Sequence, residues 1–263
     1  MSLSPEKLEA FLRNECHLEN NICIHTKSGK AIKACVPMHT FGFCAEIDKI
    51  IDICNDYFID VVEDAAESLG SFYKGKHSGI FGKFGTISFN GNKTITSGGG
   101  GVILTQDEEL AKKAKHLTTQ AKVPHAWEFF HDQIGYNYRM PNINAALGCA
   151  QLDRLDEFLL NKRNLANKYD IALKSSESLE FVSEPKGTTS NYWLNTVRLK
   201  KPNLQTRNEL LTASRAKGYL CRPSWNLLHQ LPMYDNSPRA DLPVAQMLLN
   251  SLINVPSSAN LGL

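Results

Sequence analysis

The sequence TISFNGNKTITSGGGG, residues 86–101, is the stretch on which the architecture depends. Its first four residues form a short run of apolar and branched side chains, which predicts a buried strand over 86–89. A polar loop with Lys93 follows, and the residues after the glycine run, 101–105, predict a further strand. A lysine held near the end of a buried strand is a candidate for covalent amine chemistry, although a surface lysine before a glycine turn would have the same sequence.

The elements around this stretch alternate between predicted strands and helices. In chain order they are a helix begun by Ser4 and Pro5, a buried strand at 32–39, a helix at 46–57, a strand at 59–62 that ends at Glu63 and Asp64, and a helix at 107–117. This alternation favours parallel pairing in an α/β fold. Because such sheets bind ligands beyond the carboxyl ends of their strands, we expect Asp64 and the loop that carries Lys93 to converge on one ligand.

The second half of the chain has a different pattern. A long helix is predicted at 142–173, followed by a strand at 192–199, a helix at 206–217 that Gly218 caps, and a strand at 219–222. This pattern is typical of a smaller α+β unit. We therefore predict a partial large cofactor-binding domain at 1–160 and a small C-terminal domain at 161–263.

Composition excludes several classes of function. The chain has 263 residues, 42% of them hydrophobic, and a formal net charge of +2, which argues against a dedicated nucleic-acid surface. The seven cysteines form no CxxC pair, so a metal site is not expected. No apolar stretch is long enough to span a bilayer and no secretory segment is evident, so we expect a cytoplasmic protein with no membrane partner.

Two further motifs carry polar residues that suit a cofactor. Asp64 in VVEDAAESLG, residues 61–70, could hold the protonated ring nitrogen of an electron-sink cofactor such as pyridoxal 5′-phosphate (PLP), or it could cap a helix. Asn137 in GYNYRMPNINAALG, residues 135–148, could donate to a phosphate, or it could serve a turn. The glycine run at 98–101 lacks the ending of a P-loop and is better explained by close backbone packing or by a hinge beside the cofactor.

In combination and in this order, the three motifs resemble the DegT/StrS-type sugar aminotransferases, a branch of the fold-type I PLP enzymes. The resemblance extends from SPEKLEAF near the N-terminus to NVPSS near the C-terminus. It is closest to enzymes that aminate UDP-linked 4-keto-6-deoxy N-acetylhexosamines of the legionaminic acid and bacillosamine type, and perosamine-type enzymes are also similar. The implied fold is a three-layer α/β/α unit around a mostly parallel sheet, with a smaller α+β C-terminal domain.

The resemblance also implies a role for individual residues. Lys93 matches the Schiff-base lysine, which also moves the proton during catalysis. Asp64 matches the partner of the pyridine nitrogen, and Glu67 matches a residue near the ring oxygen of PLP. Ser88 matches a hydroxyl donor to the PLP phosphate. Asn137 matches a phosphate donor that reaches in from a second subunit, which implies a homodimer.

The substrate side of the site is implied less directly. His39, Arg222 and Trp225 are candidates for substrate contact, and each could equally be a packed core residue. The implied reaction is a ping-pong transamination in which an amino donor, L-glutamate, provides the amino group for a nucleotide-linked 4-keto-6-deoxy sugar. Such reactions belong to bacterial surface-polysaccharide or nonulosonic-acid biosynthesis.

The resemblance departs from the family at the N-terminus. Relatives carry roughly one hundred further residues before the counterpart of Ser4, about the size of a small domain. We therefore expect an uncovered sheet edge and weak or absent activity of this chain alone. The alternatives are a truncated remnant that only folds or dimerises, a related sugar dehydratase, which Lys93 in place of a histidine disfavours, and a nucleotide-binding module, which lacks a fingerprint.

Overall fold

The computed structural model describes residues 1–263 as seven α-helices and fourteen short strands in four sheets. The helices are α1 (Pro5–Glu15), α2 (Ile47–Asp56), α3 (Glu108–Thr118), α4 (Asn142–Leu152), α5 (Leu155–Leu173), α6 (Leu204–Ala216) and α7 (Pro243–Leu249). The strands are β1 (Cys16–Glu19), β2 (Ile22–His25), β3 (Lys30–Ile32), β4 (Ala34–Cys35), β5 (Asp60–Asp64), β6 (Phe72–Tyr73), β7 (Lys76–His77), β8 (Phe84–Ser88), β9 (Gly101–Leu104), β10 (Leu179–Phe181), β11 (Thr188–Thr189), β12 (Asn195–Leu199), β13 (Arg222–Pro223) and β14 (Leu252–Val255).

The sheet that positions the site has the order β4-β5-β8-β9. The first two pairings are parallel, and β9 runs antiparallel to β8. Asp64 lies opposite Thr86 in the register of β5 and β8, so both strands end at the same edge of the sheet. The predicted α/β class and the mostly parallel sheet are confirmed.

The predicted buried strand at 32–39 is confirmed only in part. The structure has the two-residue β4, and the parallel pairing to β5 resumes in the same register at Met38, which is bridged to Asp64. Between them the side chain of Val36 is 62% exposed. The strand is interrupted at the edge of its sheet because Pro37 has no N–H to donate, although its carbonyl accepts the N–H of Asp64 at 3.0 Å. The residues before it, β1 to β3, instead form an antiparallel sheet that the sequence did not suggest.

The predicted continuous helix at 142–173 is also wrong, because α4 and α5 are separate helices. The chain turns at Asp153 and Arg154, where the N–H of Arg154 bonds to the carbonyl of Gln151 in a tighter turn than an α-helix makes. The Arg154 side chain then pairs with Glu157 in the first turn of α5. The division into domains at residue 160 stays a prediction.

The second half contains an antiparallel sheet of order β10-β12-β14-β13, packed with α5 and α6. The predicted strand at 192–199 begins three residues late because Tyr192 has a left-handed φ of 46°, which no strand accommodates. The predicted strand at 219–222 reduces to β13, which begins only at Arg222. Gly218 follows α6 with φ of 83°, as expected of a residue just past a helix end.

Two hydrophobic clusters form the core. The first packs α1 and α2 against β5 through Leu12, Ile47, Ile50, Cys54 and Val61. The second joins the loop after β4 to the second half of the chain; its members are Phe41, Phe43, Ala166, Tyr192, Trp193 and Leu252. This second cluster fixes the loop after β4, and with it one wall of the candidate site, against the C-terminal sheet.

The segment 127–143, called the apolar face below, exposes many large hydrophobic side chains. Large hydrophobic side chains on it are more than half exposed, namely Trp127, Phe129, Phe130, Ile134, Tyr136, Tyr138 and Ile143. The outer strand β9 adjoins an open cavity of about 1120 Å³ lined in part by α3 and Met140. No helix in residues 1–263 combines the length and the apolar character that a bilayer crossing requires.

Candidate active site

The site begins where β5 and β8 end side by side. Asp64 is half-buried, and its Oδ1 accepts the N–H of Ala66 at 3.1 Å. Ser88 is half-buried too, and its Oγ accepts the N–H of Asn90 at 3.2 Å. Ser88 lies two residues beyond Thr86, the residue opposite Asp64 in the neighbouring strand. Strand geometry therefore separates the Cα atoms of Asp64 and Ser88 by roughly 8 Å. A carboxylate and a hydroxyl therefore stand a small molecule's length apart on one sheet edge.

Lys93 lies in the loop that leaves β8. Its N–H bonds to the carbonyl of Asn90 at 3.1 Å, and its side chain is only 14% exposed. The Nζ atom is 3.7 Å from Oε1 of Glu67 and 4.1 Å from the centroid of the Trp193 ring. An amine enclosed by a carboxylate and an aromatic face is held in one place, which is one of the conditions that covalent amine chemistry requires.

Glu67 forms the opposite wall of this niche. Its Oε2 accepts the N–H of Phe41 at 2.7 Å, which fixes the carboxylate against the loop after β4. Burial raises the pKa of Glu67 above its ordinary value, and the nearby charge of Asp64 adds to this, while the Phe41 N–H and Lys93 oppose it. The carboxylates of Asp64 and Glu67 and the amine of Lys93 thus share a partly buried site, where the protonation of these groups depends on the charge of a bound ligand.

Glu63, the residue before Asp64, is a structural centre that the sequence did not reveal. It is fully buried and accepts N–H groups from Gly79, Phe81 and Gly82 at 2.6 to 2.8 Å. Burial alone would raise the pKa of Glu63, but His39 and these N–H groups together hold it below its ordinary value. The carboxylate is therefore a buried anion that fixes the loop before β8.

His39 belongs to this network and not to a substrate surface, which corrects the prediction. The ring is fully buried; its Nε2 lies 2.9 Å from Glu63 Oε2, and its Nδ1 accepts the N–H of Ala45 at 3.0 Å. Since both ring nitrogens are engaged and no part of the side chain reaches solvent, a substrate has nothing to contact.

The remaining predicted residues lie in different surroundings. Trp225 is 52% exposed and stacks on Trp193 at 6.2 Å between centroids, so it stands at the outer side of the aromatic wall beside Lys93. Arg222 is exposed in β13 opposite Asn254. Asn137 is exposed and forms an isolated bridge with Thr119 on the apolar face. The structure brings Lys93 and Glu67 into contact at the sheet edge where Asp64 and Ser88 end.

Sequence reasoning missed two further residues at the site. Asn191 is fully buried, and its side-chain Nδ2 donates to the carbonyls of Glu67 and Leu69 at 2.9 Å. Trp193 donates its indole N–H to the carbonyl of Asn92 at 2.7 Å. Both residues are about one hundred positions from the segments they contact, so no local spacing could have identified them.

Comparison with known proteins gives one family. The model of the DegT/DnrJ/EryC1/StrS aminotransferase family matches residues 9–263. The chain is 38% identical to the GDP-perosamine synthase of Escherichia coli O157:H7 over 240 residues, which cover 91% of this chain and 64% of that enzyme. It is 40% identical over 209 residues to EpsN of Bacillus subtilis (strain 168), which carries the provisional name of a pyridoxal phosphate-dependent aminotransferase; this match covers 80% of the chain and 53% of EpsN. The chain thus spans between half and two thirds of the length of these relatives.

Solved structures agree with the sequence comparison. Helicobacter pylori PseC, described as an aminotransferase involved in the biosynthesis of pseudoaminic acid, superimposes with a TM-score of 0.83 at 25% identity, over 87% of this chain and 62% of PseC. The aminotransferase TlmJ of Streptoalloteichus hindustanus gives a TM-score of 0.82 at 27% identity, over 90% of this chain and 64% of TlmJ. These similarities confirm the predicted fold-type I architecture.

Proposed function

Because the chain belongs to the DegT/DnrJ/EryC1/StrS aminotransferase family, we propose that it binds PLP and takes part in the transamination of a nucleotide-linked keto sugar. The observation that carries the proposal is the enclosed amine of Lys93, 3.7 Å from Glu67 Oε1, at the sheet edge where Asp64 and Ser88 end. Family membership alone would not require these side chains to come together in this chain.

The chemistry of these side chains fits PLP. An aldehyde needs an amine, a protonated ring nitrogen needs a carboxylate, and a phosphate needs hydroxyl or amide donors. Lys93, Asp64 and Ser88 provide one group of each kind, and the roughly 8 Å between the Cα atoms of the last two suits a ring that carries its phosphate at the far end. Glu67 lies beside Lys93, where it can accept a hydrogen bond from a ring oxygen once that oxygen is protonated.

Each residue then has a specific task. When bound, PLP provides the electron sink that the reaction needs. Asp64 holds a proton on the ring nitrogen, and Ser88 donates its hydroxyl hydrogen to a phosphate oxygen. The amine of Lys93 holds and returns the proton that moves in each half of the reaction, and Glu67 limits where that amine can stand.

The substrates are a finer part of the proposal. The acceptor is a UDP-linked 4-keto-6-deoxy N-acetylhexosamine and the donor is L-glutamate, in a cytoplasmic pathway to a surface polysaccharide or a nonulosonic acid. Similarity to a GDP-perosamine synthase supports a nucleotide-linked acceptor. An assay that compares different nucleotide-linked keto sugars as acceptors tests which nucleotide and which sugar are used. Trp225 and Arg222 are the residues proposed to contact this substrate.

A homodimer is also part of the proposal, with Asn137 reaching the phosphate of the partner's cofactor. The support is the exposed apolar face: Asn137 lies between Tyr136 and Tyr138, which are 52% and 73% exposed. Contiguous exposed aromatic side chains are typical of a protein–protein interface. The alternative of a remnant that only folds or dimerises has no support from the comparisons.

Covalent trapping tests the proposal directly. The chain is incubated with PLP, reduced with borohydride, digested and analysed by mass spectrometry. We expect the pyridoxyl group on Lys93, no such label in Lys93→Ala, and normal labelling of Lys93 in the control Lys27→Ala, whose lysine is exposed in a turn. Labelling confined to other lysines, or equal labelling of Lys93→Ala, would overturn the proposal. Release of 2-oxoglutarate from L-glutamate then tests the donor.

A further inference from the structure

The segment 190–193, just before β12, joins parts of the site that are far apart in sequence. Asn191 donates its Nδ2 hydrogens to the carbonyls of Glu67 and Leu69, and its own N–H to Ser71 Oγ at 2.9 Å. These bonds fix the turn that presents the Glu67 carboxylate. Because Asn191 is fully buried, they are shielded from competition by water.

The same segment also grips the loop that carries Lys93, on both sides of the lysine. The Trp193 indole N–H donates to the carbonyl of Asn92, and Asn191 Nδ2 lies 3.2 Å from Thr94 Oγ1. The backbone before Lys93 is therefore hydrogen-bonded to this short segment, and the Thr94 side chain after the lysine is in contact with it. In addition, the face of the Trp193 ring lies 4.1 Å from the Lys93 Nζ atom.

Trp193 is itself held firmly, as a positioning group must be. Its side chain is almost completely buried, its backbone N–H donates to Asn191 Oδ1 at 2.8 Å, and its carbonyl accepts from Lys162 Nζ at 3.2 Å. The outer side of the indole stacks on Trp225. Few of the rotations that would move the indole away from Lys93 remain open.

We propose that Trp193 is a positioning residue that sets where the Lys93 amine stands, by fixing the preceding carbonyl with its N–H and by bounding the amine with its ring face. The inference rests on the proposed function and adds a role to a residue outside the three motifs. A flexible lysine side chain has many rotamers, and a displacement of about 1 Å is enough to reduce reactivity strongly. The segment before β12 thereby couples the C-terminal sheet to the reacting amine.

Graded substitution separates the two contacts. Trp193→Phe keeps a ring face and loses the N–H, whereas Trp193→Leu loses both. We expect the PLP dissociation constant, read from the absorbance band that Lys93→Ala lacks, to rise about fivefold in Trp193→Phe, the effect of one hydrogen bond. In Trp193→Leu it should rise roughly thirtyfold, because the cation–π contact is lost as well.

A second readout distinguishes positioning from stability. The visible circular dichroism per bound PLP reports the fixed orientation of the cofactor and its lysine, and it should fall in the order wild type, Phe, Leu. A purely structural role would lower the melting temperature and leave this ratio and the dissociation constant unchanged. Tyr219→Leu is the control, because Tyr219 is an aromatic residue that is 60% exposed beyond α6, and this variant should match the wild type.

The outcomes are distinguishable from those of the proposed function. If wild type binds PLP on Lys93 and both Trp193 variants match it in affinity and dichroism, this inference alone fails. If wild type forms no Lys93 adduct, the proposed function fails, and the inference fails with it. Should Trp193→Leu not fold, Trp193→Phe decides: a fivefold loss of affinity with a native melting curve supports positioning, and unchanged affinity refutes it.

Discussion

Replacing Glu63 with glutamine tests the buried network beneath the site. Oε1 of Glu63 accepts the N–H groups of Phe81 and Gly82, and Oε2 accepts the N–H of Gly79 and contacts Nε2 of His39. In Glu63→Gln one of these two oxygens becomes an NH₂ group that can only donate. Whichever way the amide is turned, the NH₂ group therefore faces two hydrogen-bond donors.

The His39 ring cannot relieve this conflict cheaply. Its Nδ1 accepts the Ala45 N–H, so the neutral ring carries its hydrogen on Nε2 and donates towards Glu63. Two buried donors left unpaired cost about 1–3 kcal/mol each, or roughly 2–6 kcal/mol together. Typical domains are stable by only about 5–15 kcal/mol. With about 2–4 °C per kcal/mol for a chain of this size, the melting temperature should fall by about 10 °C.

Thermal melting followed by far-UV circular dichroism measures this effect, with Glu109→Gln as the control because the Glu109 side chain is 83% exposed. The pKa of Glu63 is lowered in the folded state, so its stabilisation is present above its ordinary value of 4.5 and is lost as the pH falls below that value. The difference in melting temperature between wild type and Glu63→Gln should therefore become smaller in acid. A Glu63→Gln protein that melts within about 2 °C of wild type at neutral pH would refute the reasoning.

Two further stability predictions follow from buried groups. Burial lowers the pKa of Lys162 from 10.5 to about 8, so the folded state releases a proton that the unfolded chain still holds between these values. As the pH rises from 8 to 10.5, the free energy of unfolding of wild type should rise by up to about 3 kcal/mol relative to that of Lys162→Met. Urea unfolding at several pH values measures this, and a difference between the two proteins that stays constant with pH would contradict it. Gly42 has φ of 94°, and an added Cβ would lie 1.9 Å from Asn191 Oδ1. The free energy of unfolding of Gly42→Ala should therefore be about 3 kcal/mol lower than that of wild type. Gly91→Ala, where a Cβ meets nothing within 4 Å, should unfold like wild type, and equal stability of the two variants would show that the contact is tolerated.

Features that depend on neighbouring residues were predictable from the sequence. Ser4 accepts the N–H of Lys7 at the start of α1, and Asp107 accepts that of Leu110 at the start of α3, as capping residues do. The strands β5 and β8 were recognised because their apolar runs are short and end in polar residues. The grouping of Lys93 with the carboxylates followed from parallel strands that end at one edge.

Features that depend on distant contacts were not predictable. His39 follows a short apolar run exactly as a ligand-binding residue would, and only its pairing with a carboxylate 24 positions away shows that it is structural. Trp193 precedes a strand without any distinctive spacing, and its partner Asn92 is 101 positions away. Such contacts are decided by how loops close over one another, and a single sequence does not encode that in its periodicity.

The two neighbouring carboxylates of β5 show how local rules and distant contacts combine. Side chains alternate between the faces of a strand, so Glu63 and Asp64 must point in opposite directions. Glu63 is fully buried and binds three loop N–H groups, whereas Asp64 is half-buried and stands at the edge of the sheet beside Glu67. The first carboxylate fixes the loop before β8, and β8 leads directly into the loop that carries Lys93. The position of the amine relative to Asp64 therefore depends on the buried neighbour as well as on the residues that would touch the cofactor.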